Sequence, residues 1–227
     1  MLKLVLPSIF LYSFSWISCR SEKTPSPDSL LLFPDLTAMS TPDSLRYLLP
    51  ILDTVLLNDQ RYRYEAHLKT EGQKQKRRKE FLARKDEINE MDKKNLEIVE
   101  NIIRKHGWLG PNDIGIKASN TLFIVLQHAD LKTQEKYLAV LKKAMDSKKI
   151  LPSNYAMFVD RIEVRNKRPQ RFGTQVMREK NVSDIYPLLN PDSVDSWRSA
   201  LRMDSLRYYV KQWNIRWEPE EYKKQLQ

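Results

Sequence analysis

Apolar residues recur at helical spacing along most of the chain. Thr41-Pro42-Asp43-Ser44 reads as a helix start, with Thr41 as cap, Pro42 in the first turn and Asp43 at the positive end of the dipole. Leu45, Leu48, Leu49, Leu52 and Leu56 follow on one face, and the helix runs on through Asp59-Gln60-Arg61-Tyr62-Arg63. Residues 65–95 break this density. Phe81, Leu82, Ile88 and Met91 are sparse among charges, and Gly72 stands as a possible break, so the segment reads as an exposed or mobile helical excursion. Leu96, Val99, Ile102 and Ile103 restore a stripe from Asn95 to His106, which Gly107 ends. Trp108-Leu109-Gly110-Pro111-Asn112 reads as a tight loop.

Ile116 to Ala129 is apolar nearly all round the helical wheel, which predicts a helix buried at the centre of the fold. Lys117 and its length exclude a membrane span. Asp130 is placed to cap the next helix, Leu131 to Ser147, with Tyr137, Leu138, Leu141 and Met145 inward. Pro152-Ser153 opens another, with a stripe of Tyr155, Phe158, Val159 and Ile162 and a thinner one of Met157 and Val164. Two apolar edges predict a helix held between two neighbours, with Asp160 and Arg161 facing a partner layer.

The pattern then changes period. Phe172, Thr174 and Val176 alternate with Arg171, Gly173, Gln175 and Met177, which is strand-like. Glu179-Lys180-Asn181 suits a turn and Val182 to Tyr186 a returning strand. In a regular strand Gln170 and Gln175 point to opposite faces, so they share a site only if Gly173 marks a bulge. Asn190-Pro191-Asp192-Ser193 starts a helix carrying Val194, Trp197 and Leu201. The tail holds Tyr208, Tyr209, Trp213 and Trp217 among Arg207, Lys211 and Arg216. Such aromatics pack into cores more often than they bind sugar or membrane. The expected fold is mainly α: a compact helical domain with a buried central helix and a small C-terminal β-hairpin.

Residues 1–19 lie outside this pattern. Lys3 precedes an apolar run from Leu4 to Ile17, interrupted by Pro7 and serines and shorter than the roughly 20 residues of a spanning helix. The run reads as a signal peptide, an uncleaved anchor being the other reading. Cys19 is the only cysteine among 227 residues, which excludes an internal disulfide and a cysteine-rich metal site. Its position resembles a bacterial lipobox, with Trp16 and Ser18 where Leu and Gly or Ala are usual, and marks Cys19 for lipidation. Residues 20–41, with Pro25 and Pro27 among Ser, Thr and charges, read as a flexible tether, and 42–227 as one domain. The expectation is an envelope lipoprotein of a Gram-negative bacterium, held in the outer membrane on its periplasmic or surface face.

The formal charge of +10 falls to +9 without the leader, whose one charged residue is Lys3. In a cytosolic chain this charge would point to nucleic acid; for an exported one the expected partner is an anionic envelope surface or glycan, and no nucleic acid. The cluster Lys74, Lys76, Arg77, Arg78 and Lys79 reads as a solvated face or as the contact to such a surface.

The series Asp59-Gln60…Arg63, His106-Gly107-Trp108, Gly115, Gln127-His128-Ala129-Asp130, Asp160-Arg161 and Gln170-x-Phe172-Gly173-Thr174-Gln175 resembles the bacterial family catalogued as domain of unknown function 6624. The resemblance spans about 45–210. It implies an exported protein or lipoprotein and brings no reaction with it. Leu109 and Phe172 depart from the usual Pro and Tyr, so no tyrosine proton is available at 172.

His128 is the candidate for acid–base work, since a helix end and nearby Asp130 favour its protonated form. Asp160 is the candidate partner that orients it. Gln60, Asp130, Arg161, Gln170, Thr174 and Gln175 are candidates for holding a ligand; a glutamine amide can hold but cannot act as base. The same residues also suit a purely structural network where a hairpin docks on helices. Gly-x-Ser-x-Gly, a phosphate-binding glycine loop and His-Glu-x-x-His are absent, and His67, His106 and His128 lack ligand spacing, so neither cofactor nor metal is expected. Two functions stay open: a ligand- or partner-binding module, and a hydrolase or transferase using His128 and Asp160.

Overall fold

The computed structural model describes residues 40–61, 63, 71–179 and 182–225. The expected leader with Cys19, residues 20–39 of the expected tether, and His67 lie outside the described residues.

The first stripe forms two helices, α1 (Asp43–Arg46) and α2 (Leu48–Gln60). Thr41 does not cap them. Pro42 occupies the cap position, and the Thr41 hydroxyl is buried without a hydrogen-bond partner. Next come α3 (Glu71–Ala83) and α4 (Lys85–His106). Gly72 lies inside the first turn of α3 and does not break it. α4 begins ten residues before Asn95, buries Ile88, Asn95, Val99, Ile102 and Ile103, and ends at Gly107 with φ of 70°. His106 in its last turn meets the Tyr47 hydroxyl at 3.0 Å.

α5 (Pro111–His128) is the central helix. It starts earlier than the apolar run because Asp113 accepts from the Gly110 N–H, closing a first turn at Pro111. Gly115 interrupts that turn at φ 82°, and the continuous helix follows from Ile116. Its buried positions run nearly unbroken from Ala118 to Gln127, because α2, α4 and α6 (Leu131–Asp146) all pack on it. Asp130 caps α6, its carboxylate accepting from the Thr133 N–H at 2.7 Å. α7 (Pro152–Arg165) lies along α6, and Phe158 meets Phe123 of α5 with ring centroids 6.3 Å apart. Leu52, Val99, Leu122, Leu126, Leu141 and Phe158 are fully enclosed in this core.

The chain then forms an antiparallel hairpin, β1 (Val176–Glu179) and β2 (Val182–Ile185), with Val176 opposite Ile185. The strand is shorter than the alternation predicts: residues 171–175 form an irregular turn. After it come α8 (Val194–Ala200), α9 (Leu206–Val210), a short 3-10 turn and α10 (Pro219–Gln225). Asn190 starts this region, accepting from the N–H groups of Asp192 and Ser193. Ile185, Leu188, Val194, Leu206, Val210 and Trp217 make a second small core, joined by Tyr209 and Trp213. Most tail aromatics are thereby packed; Tyr208 remains exposed. Among the described residues no helix is long and apolar enough to cross a membrane.

Candidate functional site

The residues expected to form one polar centre fall into two. The first lies where the ends of α2 and α5 meet α4. His128 Nδ1 is 2.8 Å from Asp59 Oδ1, and both side chains are buried. Arg63 donates to the Asp59 carbonyl at 2.9 Å and approaches its carboxylate at 3.3 Å. The other edge of the guanidinium meets both oxygens of Asp92, at 2.9 and 2.5 Å. Gln60 donates to Asp59 Oδ2 at 2.7 Å, so its amide serves this carboxylate.

The electrostatics assign the protons. Burial alone would raise the Asp59 pKa, but the charge and hydrogen bond of His128, then Arg63 and Gln60, reverse it and hold the carboxyl below its ordinary value. For His128 burial is the largest effect and pushes downward; Asp59 pulls up, and Arg63 and Arg161 push down again, leaving it below 6.5. The expectation that the helix end and Asp130 would favour the protonated form is therefore corrected. Asp59 is the partner, Asp130 is turned into its helix cap, and burial beside two guanidinium groups wins. A neutral His128 donates Nδ1–H to an ionised Asp59, which puts the ring's basic lone pair on Nε2.

This assignment has a pH signature. Below about 6.5 the unfolded chain takes up a proton on His128 that the folded chain does not, so stability falls as pH drops from there towards the lowered folded value. The limiting slope is about 1.4 kcal/mol per pH unit. Above that window the contribution is constant. His128→Asn, whose amide can still donate to Asp59, is expected to lose this slope in denaturant titrations between pH 7.5 and 5.5. A slope unchanged from wild type would place the proton uptake elsewhere.

A cleft of about 560 Å³ opens beside the pair. α4 supplies one wall, with Asp86, Glu90 and Asp92 among its polar residues; His128, Ala129 and Asp130 stand on the other, and Leu96 and Val125 add apolar surface. Arg165 is fixed by a 2.6 Å bond to the Ala129 carbonyl. No group of side chains that could hold a metal ion occurs among the described residues.

The second centre is built on Asp160, which is fully buried on α7. It does not touch His128; its oxygens are occupied by the turn. Oδ1 accepts from the N–H groups of Arg171 and Phe172 at 2.9 and 3.0 Å, and Oδ2 from the N–H and hydroxyl of Thr174, both at 2.9 Å. Burial raises the Asp160 pKa, and these hydrogen bonds only partly offset it. Gln170 is equally enclosed. Its amide nitrogen donates to the carbonyls of Gln175 and Tyr186, and its oxygen accepts from the Gln175 N–H. One side chain thus ties Gln175 to Tyr186, beside the backbone bond from the Tyr186 N–H to the Gln175 carbonyl. Gln175 donates to Thr174 Oγ1 at 3.1 Å. Gly173 is no bulge in a strand but the turn's positive-φ residue, at 69°, where a Cβ would lie 2.7 Å from Leu206 Cδ1. Neither glutamine hydrogen-bonds to His128.

Arg161 stands between the centres. Burial and the neighbouring guanidinium groups of Arg165 and Arg63 pull its pKa down to about 9, against the pull of Tyr209 and Tyr186 on the hairpin side. Asp59, Asp92 and Arg198 were not expected as site residues. Asp59 had a visible signal, because it continues the buried stripe Leu52, Val55, Leu56 with a carboxylate. Arg198 had none. It is 1% exposed, donates to the carbonyls of Phe172 at 2.7 Å and Asp204 at 2.6 Å, and lies 4.7 Å from the Tyr209 ring centre.

A mainly helical domain with a buried turn built on Asp160 and a His–Asp pair beside a cleft is the class this fold defines. The chain belongs to the family of unknown function DUF6624, which matches residues 66–217. The match covers His128, Asp160 and the whole 170–175 turn, and begins after Asp59. No curated protein and no solved structure matches the chain.

Proposed function

We propose that this protein is a lipid-anchored envelope protein whose domain binds a small ligand in the cleft beside His128 and Asp59. The observation that carries the reading is the 2.8 Å pair itself, because it stands in the wall of a 560 Å³ cleft. Clefts of this size with a few convergent polar groups and a perturbed histidine are where ligands bind. The rest of the reading comes from the sequence: an apolar leader, a lone Cys19 at its end and a tether to the domain.

The same pair supports an enzymatic reading. Asp59 fixes the tautomer of His128 and would stabilise its imidazolium if Nε2 took a proton from a bound hydroxyl or water. A hydrolase or transferase would therefore use His128 with Asp59, not with Asp160. The second centre supports the turn and has its polar groups committed to it.

A thermal-shift screen of amines, amino acids, peptidoglycan fragments and oligosaccharides tests the cleft. A ligand at a hundred times its Kd raises stability by about 2.7 kcal/mol. That shift is expected to disappear in His128→Asn, with the variant's own melting point checked alongside. A ligand that stabilises wild type and variant equally would remove the cleft from the proposal.

A further inference from the structure

The basic run on α3 has a one-sided arrangement that the cleft does not use. Placed at helical spacing, Lys76, Arg78, Lys79 and Leu82 fall on one outward arc, and all four are exposed. Phe81 and Arg77 turn inward: the Arg63 guanidinium lies 6.0 Å from the Phe81 ring centre. Glu80 is half-buried and pairs with Arg77 at 3.6 Å, so this carboxylate is drawn off the outward arc. Leu82 is 45% exposed and stands among the cations. Arg84 and Lys85 extend the exposed positive surface, with Arg84 shared with Glu87.

We propose that this outward face of α3 lies on an anionic phospholipid bilayer. Lysines and an arginine on flexible stems suit a diffuse sheet of phosphates, and an exposed leucine between them suits shallow insertion at the headgroup boundary. A protein partner would call for large anchors clustered at a well-packed centre, aromatic ones among them, and this arc carries no aromatic side chain and a single leucine among its cations. Attachment of the same chain to a membrane through Cys19 would hold α3 near such a surface. The inference uses that membrane placement and is independent of the ligand reading of the cleft.

The test uses the full chain reconstituted into vesicles of neutral phosphatidylcholine or of phosphatidylcholine with phosphatidylglycerol. Amide hydrogen exchange across 72–84 reads the contact; flotation separately reads membrane attachment, so failure of the anchor and failure of the α3 contact are distinguishable. Each cation at an anionic surface contributes about fivefold in binding. Exchange in α3 is therefore expected to slow by on the order of tenfold or more in the anionic vesicles, and to return to the neutral-vesicle rate in 1 M NaCl. Lys76→Gln/Lys79→Gln is expected to abolish the slowing while melting like wild type. Equal exchange in both vesicle types overturns the proposal. So does slowing by soluble polyglutamate without slowing by anionic vesicles, which would assign the face to an acidic protein.

Discussion

Asp160→Ala is expected to destabilise the domain by about 3–5 kcal/mol and to release the 170–175 turn. The carboxylate is fully buried and gathers the N–H groups of Arg171, Phe172 and Thr174 together with the Thr174 hydroxyl. Alanine leaves the enclosed N–H groups of Phe172 and Thr174 without an acceptor, each costing about 1–3 kcal/mol. The damage spreads because other groups hold the same turn. Arg198 grips the Phe172 carbonyl, Tyr209 donates to the Thr174 carbonyl at 3.1 Å, and Gly173 packs against Leu206. Urea denaturation followed by tryptophan fluorescence reads the loss, since Trp213 and Trp217 belong to the second core. Asp160→Asn keeps an acceptor oxygen but sets an NH2 against backbone donors, so an intermediate loss is expected. The pH dependence assigned to His128 should persist in both variants, because Asp160 makes no hydrogen bond to it. A loss below about 1 kcal/mol in Asp160→Ala would show that the turn stands without its carboxylate, within the range of a single ordinary hydrogen bond.

The chain shows its local physics openly and its long-range pairings hardly at all. The buried α5 was readable because an all-round apolar helix has one stable location. Asp130 was readable as a cap because capping spans three residues. The strand expected over 171–175 failed for a definite reason. Alternation describes side chains, whereas here the backbone N–H groups are drawn to Asp160, 11 to 14 positions earlier in the chain. Helix α8 shows the same limit. Val194, Trp197 and Leu201 suggest its inner face, but the structure buries Val194 and Arg198. The guanidinium goes inward because two carbonyls and the Tyr209 ring await it, and no spacing rule announces such a destination. His128 and Asp59 are 69 residues apart. What chain order could offer was weaker evidence: a carboxylate on a buried stripe, which asks for a buried cation or donor. Asp160, expected in that role, spends both carboxylate oxygens on the 171–174 turn.

Asp59→Ala should be the most damaging change at the first centre, by about 2–4 kcal/mol, because it strips buried donors of their acceptor, each costing about 1–3 kcal/mol. Arg63 keeps Asp92, but the His128 Nδ1–H loses its acceptor and Gln60 its carboxylate. Asp59→Asn separates structure from function. It preserves volume and one oxygen, so the expected loss of stability is smaller. Its amide can instead donate to Nδ1, which would move the ring proton to Nε2 and take away the basic lone pair. If the cleft works through that lone pair, Asp59→Asn will lose ligand binding or turnover out of proportion to its stability, and the His128 pH dependence will change with it. NMR of the imidazole nitrogens in wild type and Asp59→Asn reads the tautomer directly. A tautomer that stays put, with binding reduced only as far as stability falls, would reduce the pair to a structural brace between α2 and α5. A switched tautomer with lost binding would make Asp59 the residue that sets the chemistry of the cleft.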